Sequence, residues 1–453
     1  RRRYRLRPRS PLSSKPSTEL PGVSILRPLK GLDPNLYENL ESTFTQEYSN
    51  YEVLFSVKDA HDQALGVVQE LMDKYPSVDA KVVVGEEIVG VNPKINNLIR
   101  PYHQAKYDIL WVLDSNVFVA PGTLARAVDA LTIQSPNPTA PTSNSQKKNI
   151  RRVGLVHHVP FAVASERSLG SRLEEAFLNT NHAKMYLAIN ALAVDSCVMG
   201  KSNMYRRSDV EQLTGRLYRR PSASNSHSLD SEDSNPSSHA EPEPESGLAI
   251  FGRYLAEDNM IAASLMHEQN LAHDLSCDVA LNAIGAMDLR AYIDRRARWI
   301  RVRKHMVLSA TLLEPFTESL VAGVLFAYAL RFLLSGGVSG GVSVPVWVTL
   351  VVHFAVWLAV DLDVYASLAG HALPAGIRWS FIAAWAMREL LAFPIWAYAV
   401  LGSEVMWRGV RYRVLLNGEV RRCEAGQLKQ AWGWWGSRSR GASSHYQPLD
   451  TDA

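Results

Sequence analysis

Three long apolar stretches, roughly 306–334, 343–360 and 379–401, follow one another in the last third of this 453-residue chain, whereas the first 300 residues read as a soluble protein. Each stretch is close to the roughly 20 apolar residues that a helix needs to cross a bilayer. Buried core helices are the alternative, but three such runs in succession, with Trp near the ends of the later two, favour membrane spans. The first run contains EPFTE, and Glu314 and Glu318 would be costly at a bilayer centre. An interfacial helix that spans only from about Leu320 is therefore expected there. Arg388 and Glu389, inside the last run, are expected to face protein rather than lipid. The basic stretches RRRYRLRPR at 1–9 and WRGVRYR at 407–413 both read as cytosolic flanks. The first is too basic and polar for a signal peptide, and it leads to the expectation of a transmembrane helix upstream. Basic flanks on both sides imply an even number of crossings, which would make one stretch re-entrant.

Ahead of these runs the pattern changes. GVSILRP (22–28), YEVLFSV (51–57), AKVVVG (80–85) and DILWVLD (108–114) read as strands. NLYENLESTF, ALGVVQELMDKY (64–75), KINNLIRPYHQA (94–105) and GTLARAVDAL lie between or after them with helical spacing. Strands alternating with helices predict an α/β domain whose parallel sheet is covered on both faces. In such sheets ligands sit outside the carboxyl ends of the strands. Residues 134–152 and 217–246 are Pro/Ser/Asn-rich or nearly free of apolar residues, and read as disordered insertions. A net charge of +3 gives no sign of nucleic-acid binding, and three scattered cysteines form neither a disulfide framework nor a CxxC metal site.

Polar residues at the strand ends allow two readings each. Asp114 closes the fourth strand in WVLDSNV, where a carboxylate can hold a hard cation on a diphosphate or simply make a turn. The third position of what would be D-x-D is Asn116. Asp59 and Asp62, in VKDAHD, could accept hydrogen bonds from a nucleotide or cap the next helix. Lys94 in GVNPKINNL stands at a helix start, where a cation and free amides suit phosphate. Glu257 and Asp258 open a helical pattern in YLAEDNMIAASLM, favoured there by the helix dipole or placed as a general base. His182 in NTNHAKMY could bind an acceptor or pack as a surface residue. RRARWIRVRK (295–304) holds six basic residues in ten and leads into the first apolar run.

Taken in order, PGVSILRPLKGLDPNL, NYEVLFSVKDAHD, GVNPKINNL, AKYDILWVLDSNV, YLAEDNM and RRARW resemble the ceramide glucosyltransferases, glycosyltransferase family 21, a membrane-bound branch of the GT-A-type family 2 relatives. The resemblance covers 21–133, 153–214 and 247–413 and skips both polar insertions. PLKGLDPNL and NPKINNL are specific to the family, whereas RxxRW is shared more widely. The resemblance implies a basic juxtamembrane segment at 1–20, a Rossmann-like GT-A-type cytosolic domain at 21–305, interfacial or transmembrane helices at 306–402, and a basic tail at 403–453 with a disordered end. It implies a single inverting displacement that moves glucose from UDP-glucose to the primary hydroxyl of ceramide, at the cytosolic face of a Golgi or ER membrane.

The same resemblance distributes roles over four signatures. Asp62 is the first, with Asp59 as a nucleobase contact and Lys94 beside the donor. Asp114 is the second and would hold Mg²⁺ or Mn²⁺ on the diphosphate; the family tolerates D-S-x there. Asp258 is the third, the catalytic base, and His182 matches a histidine associated with activity in similar enzymes. Arg295-Arg296-Ala297-Arg298-Trp299 is the fourth, with Arg295 and Arg298 for the diphosphate and Trp299 for acceptor or sugar packing. Arg301, Arg303 and Lys304 are then expected to face lipid headgroups. The alternatives are a related transferase acting on a sterol, diacylglycerol or polyprenyl phosphate or using another nucleotide sugar, and an inactive lipid-binding or scaffold homologue.

Overall fold

The computed structural model of the protein describes residues 4, 6–132, 134–136, 150–192, 197–217, 247–335, 344–407, 410–415 and 418–423. Most of both polar insertions, the start of the basic leader and the chain after 423 lie outside the described residues.

The predicted alternation forms as β1 (Val23–Pro28), α1 (Leu36–Phe44), β2 (Tyr51–Val57), α2 (Ala64–Lys74), β3 (Asp79–Val84), α3 (Pro93–Gln104) and β4 (Ile109–Leu113). All five residues of β4 are buried, as expected for a strand covered on both faces. A short β5 (Val117–Phe118) and α4 (Thr123–Thr132) follow. Next come β6 (Gln134–Pro136), the long β7 (Ile150–Ala164), α5 (Leu169–Phe177), a π-helical turn (Leu178–His182) and α6 (Ala183–Leu192). β8 (Ser202–Arg206), α7 (Arg207–Glu211), α8 (Glu257–His267) and β9 (Ala272–Ile284) complete the α/β part.

The strand order is β3-β2-β1-β4-β8-β7-β9-β5, with β6 against β7. β1 through β4 pair in parallel, but β8 runs antiparallel to both β4 and β7, so the sheet is mixed rather than wholly parallel. Trp111 of β4 is fully buried and its indole N–H donates to Ser202 Oγ of the antiparallel β8 at 3.0 Å, satisfying the one polar atom of a very large apolar side chain. Apolar residues from both faces form two cores, one under α1, α2 and α4 and the other under α3 and α8. Each fully buried Leu, Ile, Val or Phe contributes about 1.5–3 kcal/mol over its exposed state.

The helix α9 (Leu289–Met306) carries the RRARW run and leads into α10 (Leu308–Leu313), α11 (Ser319–Ser335), α12 (Val346–Ala369) and α13 (Arg378–Val400). Among the described residues, α12 is the one helix long and apolar enough by itself to cross a membrane, with a mean hydropathy of 1.7. Residues 308–317 and 319–334 pass the same test only if counted together, and they are bent by 64° at the break. The third apolar stretch is one helix, α13, but it carries Arg388 and Glu389 in its middle, both buried as expected. Arg388 pairs with Glu389 and with Glu318, and Glu318 also accepts from Asn181 Nδ2 at 2.9 Å. The acid in EPFTE that would be costly in lipid is thus enclosed by protein. Part of the expected tail is structured too: β10 (Glu404–Trp407), β11 (Val410–Val414) and β12 (Val420–Arg422) form a small antiparallel sheet against Val302 of α9.

Candidate active site

The carboxyl ends of β1, β2 and β4 lie side by side, at the place where the strand order reverses direction from β1 to β4. In the loop after β1, Gly31 has a φ of +65°, a conformation that side chains disfavour. Its N–H donates to both carboxylate oxygens of Asp62, at 2.9 and 3.1 Å, and Asp62 Oδ1 also accepts from Ala64 N–H at 2.9 Å. Asp62 therefore ties the loop after β1 to the start of α2. Asp59 is exposed and accepts from His61 N–H at 2.8 Å.

The sequence VNPK builds the start of α3. Pro93 occupies the first turn, and the Asn92 side chain caps it by accepting from Lys94 N–H at 2.9 Å. The backbone amide of Lys94 is thereby taken, and it is the ammonium that reaches inward. Lys94 Nζ donates to Gly200 O at 2.8 Å and forms ion pairs with Asp114 Oδ1 at 2.9 Å and Glu257 Oε1 at 3.2 Å. Asn92 Nδ2 braces Glu257 Oε2 from the other side at 2.8 Å. A second lysine, Lys201, donates to Asp114 Oδ2 at 2.8 Å and to Asn116 Oδ1 at 2.9 Å. Burial pushes the Asp114 carboxyl up, but Lys201 and Lys94 outweigh it and hold the group well below the usual carboxylate range.

Asp258 sits beside this cluster in the first turn of α8. Burial and then the neighbouring Glu257 push its carboxyl up to about 7, against the opposing pull of Lys94. Gly200 permits the approach: a Cβ there would stand 2.9 Å from Lys94 Nζ and 3.1 Å from Asp258 Oδ2. Two neighbouring carboxyls held far apart in acidity, Asp114 ionised and Asp258 near neutrality, are the arrangement that separates an electrostatic role from an acid–base one. Lys94, Asp114 and Asp258 are thus brought together from α3, β4 and α8, and Glu257, Gly200 and Lys201 join them. Lys201 and Gly200 carry no local signal in the sequence. They arrive because β8 pairs with β4 in a register that sets Ser202 opposite Leu113.

A divalent cation at Asp114 would find one carboxylate, both of whose oxygens already face ammonium groups, Oδ2 accepting from Lys201 and Oδ1 paired with Lys94. Asn116 Oδ1 is engaged by Lys201 as well. Among the described residues no three His, Cys, Asp or Glu side chains gather into a metal-ligating group. As they stand, these side chains hold lysine ammonium groups at the position a metal ion would share.

The other candidates form a second cluster. Trp299 of α9 lies near His182 of the π-helical turn, with ring centroids 5.7 Å apart, and near Phe177 at 6.3 Å. The His182 ring also meets Tyr186 at 5.6 Å, and its buried Nδ1 has no hydrogen-bond partner among the described residues. Burial, then Arg296, Arg303 and Arg295, push His182 down to about 3, so it is a neutral imidazole. The Tyr186 hydroxyl is hydrogen-bonded to His157 Nδ1 at 2.6 Å, and burial foremost, then Cys197, push it well up. Arg295 donates to the fully buried Glu174 at 2.7 Å, Arg296 lies 3.5 Å over the Phe177 ring, and Arg298 is partly buried and engaged.

The rest of the basic run, expected to face lipid headgroups, is engaged by protein groups instead of being left free. Arg301 donates to Glu404 O at 2.7 Å, Lys304 to Val400 O and Gly402 O at 2.9 and 2.8 Å, and Arg303 pairs with Glu314. Lys304 thereby satisfies carbonyls at the end of α13 and just beyond it, and Arg301 holds the start of β10. A cavity of about 570 Å³ lies apart from both clusters, lined by Glu175, Phe161, Tyr365 and Phe381 among others.

The chain matches the family described as Glycosyl transferase family 21 over residues 2–216 and 243–420. It is 37% identical over 433 residues to the ceramide glucosyltransferase of Komagataella phaffii, covering 87% of this chain and 83% of the relative. The Candida albicans ceramide glucosyltransferase is 33% identical over 485 residues, covering 87% and 86% of the two chains. Among solved structures, a mannosyltransferase from Pyrobaculum calidifontis in complex with GDP-Man and Mn²⁺ aligns with a TM-score of 0.40 at 17% identity, over 85% of this chain and 89% of its own.

Proposed function

The chain belongs to glycosyltransferase family 21, and on that premise we propose that it transfers glucose from UDP-glucose to the primary hydroxyl of ceramide, giving a β-glucoside and UDP. One observation supports the chemistry above all. A carboxyl poised near neutrality, Asp258, stands beside a lysine-braced Asp114 at the carboxyl edge of the parallel strands.

Asp258 takes the proton from the acceptor hydroxyl as that oxygen attacks the anomeric carbon. The bond from the anomeric carbon to the diphosphate oxygen breaks on the opposite face, and UDP departs with both electrons. Negative charge grows on the diphosphate, and fixed cations at that position lower the barrier because they need not reorganise. Arg295 and Arg298 are assigned to this region, Asp59 and Asp62 to the nucleoside side, and Trp299 with His182 to acceptor packing. Mg²⁺ or Mn²⁺ arriving with the donor would have Asp114 as its protein ligand, in competition with Lys201.

Ceramide does not leave a bilayer readily, so the acceptor must be met at a membrane. The apolar window of α12 is only 11% buried within the protein, which is not the behaviour of a soluble core helix. Leu325, Phe326 and Phe332 of α11, Trp347 and Val356 of α12, and Leu390 of α13 are also exposed. These helices are assigned to the membrane, and the α/β part together with α9 to the cytosolic face of a Golgi or ER membrane.

The test uses membranes containing the full chain, with UDP-glucose, UDP-galactose and GDP-mannose each offered against ceramide and a sterol. Glucosylceramide from UDP-glucose alone is expected, with a β-linkage by NMR. Preferential transfer to the sterol, or from GDP-mannose, would overturn the assignment.

A further inference from the structure

We propose that Lys201 is a catalytic residue that supplies, from the protein itself, the cation that holds the donor's diphosphate at Asp114. The proposal rests on the nucleotide-diphosphate donor assigned above. In a D-x-D pair both acids would face a metal ion. Here the pair is Asp114 and Asn116, and the group lodged between Asp114 Oδ2 and Asn116 Oδ1 is the Lys201 ammonium, at 2.8 and 2.9 Å. The orientation of Asn116 is fixed for this: its Nδ2 donates to Ala283 O at 3.2 Å, which turns Oδ1 toward the lysine. Asp114 N–H donates to Lys201 O at 3.2 Å, so the two residues are held together by backbone as well as by charge.

The two lysines differ in what they have left to offer. An ammonium has three N–H donors. Lys94 donates to Gly200 O and is held between two carboxylates, Asp114 at 2.9 Å and Glu257 at 3.2 Å. Lys201 has two partners among the described residues, which leaves one N–H for a ligand oxygen, and its side chain is 14% exposed. Lys94 therefore braces the acids, while Lys201 is the cation that can donate to the diphosphate without giving up a protein contact. As UDP leaves, that N–H hydrogen-bonds to the phosphate oxygen gaining charge; no proton changes hands.

The test is UDP binding to the full-length protein in nanodiscs, by calorimetry in EDTA and again with Mn²⁺, for the wild type, K201R and K201M. Mn²⁺ binding is followed in parallel by EPR. Wild type and K201R are expected to bind UDP in EDTA. K201M should bind on the order of 10- to 100-fold more weakly in EDTA, as expected for losing a charged hydrogen bond, with kcat falling in step. Mn²⁺ should then bind at Asp114 in K201M and recover part of the affinity. The proposal fails if K201M binds UDP in EDTA as tightly as wild type. It also fails if wild type binds UDP only with Mn²⁺ and the Mn²⁺ signal disappears in D114N. If the folded wild type binds GDP but not UDP under both conditions, the donor assignment itself is wrong, and the Lys201 proposal falls with it.

Discussion

Replacing Glu257 by Gln is expected to move the acid limb of the pH–rate profile toward lower pH. Asp258 is held at about 7 by burial and by the adjacent Glu257, with Lys94 pulling the other way. A general base works only when deprotonated, so kcat/KM falls about tenfold per pH unit below that value. At about pH 6 roughly one molecule in eleven carries the ionised base. Glu257→Gln removes the like charge. It also releases the Lys94 ammonium, now paired with Glu257 Oε1 at 3.2 Å, to act on Asp258. Both changes favour the carboxylate. A displacement of about one pH unit, about 1.4 kcal/mol, would bring roughly half of the molecules into the active form at about pH 6, about a fivefold gain relative to the plateau. The amide carbonyl introduced by Glu257→Gln can still accept from Asn92 Nδ2, so the cap of α3 survives. The assay is kcat/KM for UDP-glucose between about pH 5 and 9 at constant ionic strength. Lys94→Met, which removes the opposing charge, should move the limb the other way. An acid limb that stays put in Glu257→Gln, or moves to higher pH, would refute Asp258 as the titrating base.

Other expectations concern the second cluster and the close approach at Gly200. Arg295→Ala strands the fully buried Glu174 and should cost about 3 kcal/mol or more of stability, read as a lower Tm; adding Glu174→Gln should restore Tm but not turnover, whereas recovery of both would leave Arg295 with a purely structural task. His182 is already neutral across the working pH range, so His182→Gln should raise the KM for ceramide while leaving the acid limb in place, and loss of the limb would contradict that. Gly200→Ala puts a methyl group 2.9 Å from Lys94 Nζ and 3.1 Å from Asp258 Oδ2. It should lower kcat by about 10- to 100-fold through misplacement, with little change in Tm.

Much of the donor half is legible in the sequence because it is local. Each strand from β1 to β4 is a short apolar run, and its polar end falls where the next helix begins, so the alternation alone puts Asp114 and Lys94 at the same edge of the sheet. Lys201 is not legible in this way, since it meets Asp114 across 87 residues of chain through an antiparallel register that no periodicity announces. The basic run misleads for the same reason. A row of arginines next to apolar helices fits headgroups by composition, yet Lys304 is spent on a carbonyl at the end of α13 and Arg301 on one at the start of β10, 96 and 103 residues away. The expectation that Glu318 could not lie in lipid is physically sound, and the answer lies in Arg388 and Asn181, contributed by distant segments.

The central claim is that Asp258 deprotonates the ceramide hydroxyl during glucose transfer. It is tested most directly with Asp258→Asn, reconstituted in liposomes with ceramide and labelled UDP-glucose. Glucosylceramide formation should fall by about 10²- to 10⁴-fold while UDP binding stays at the wild-type level. Glucosylceramide formed by Asp258→Asn at the wild-type rate would contradict the account.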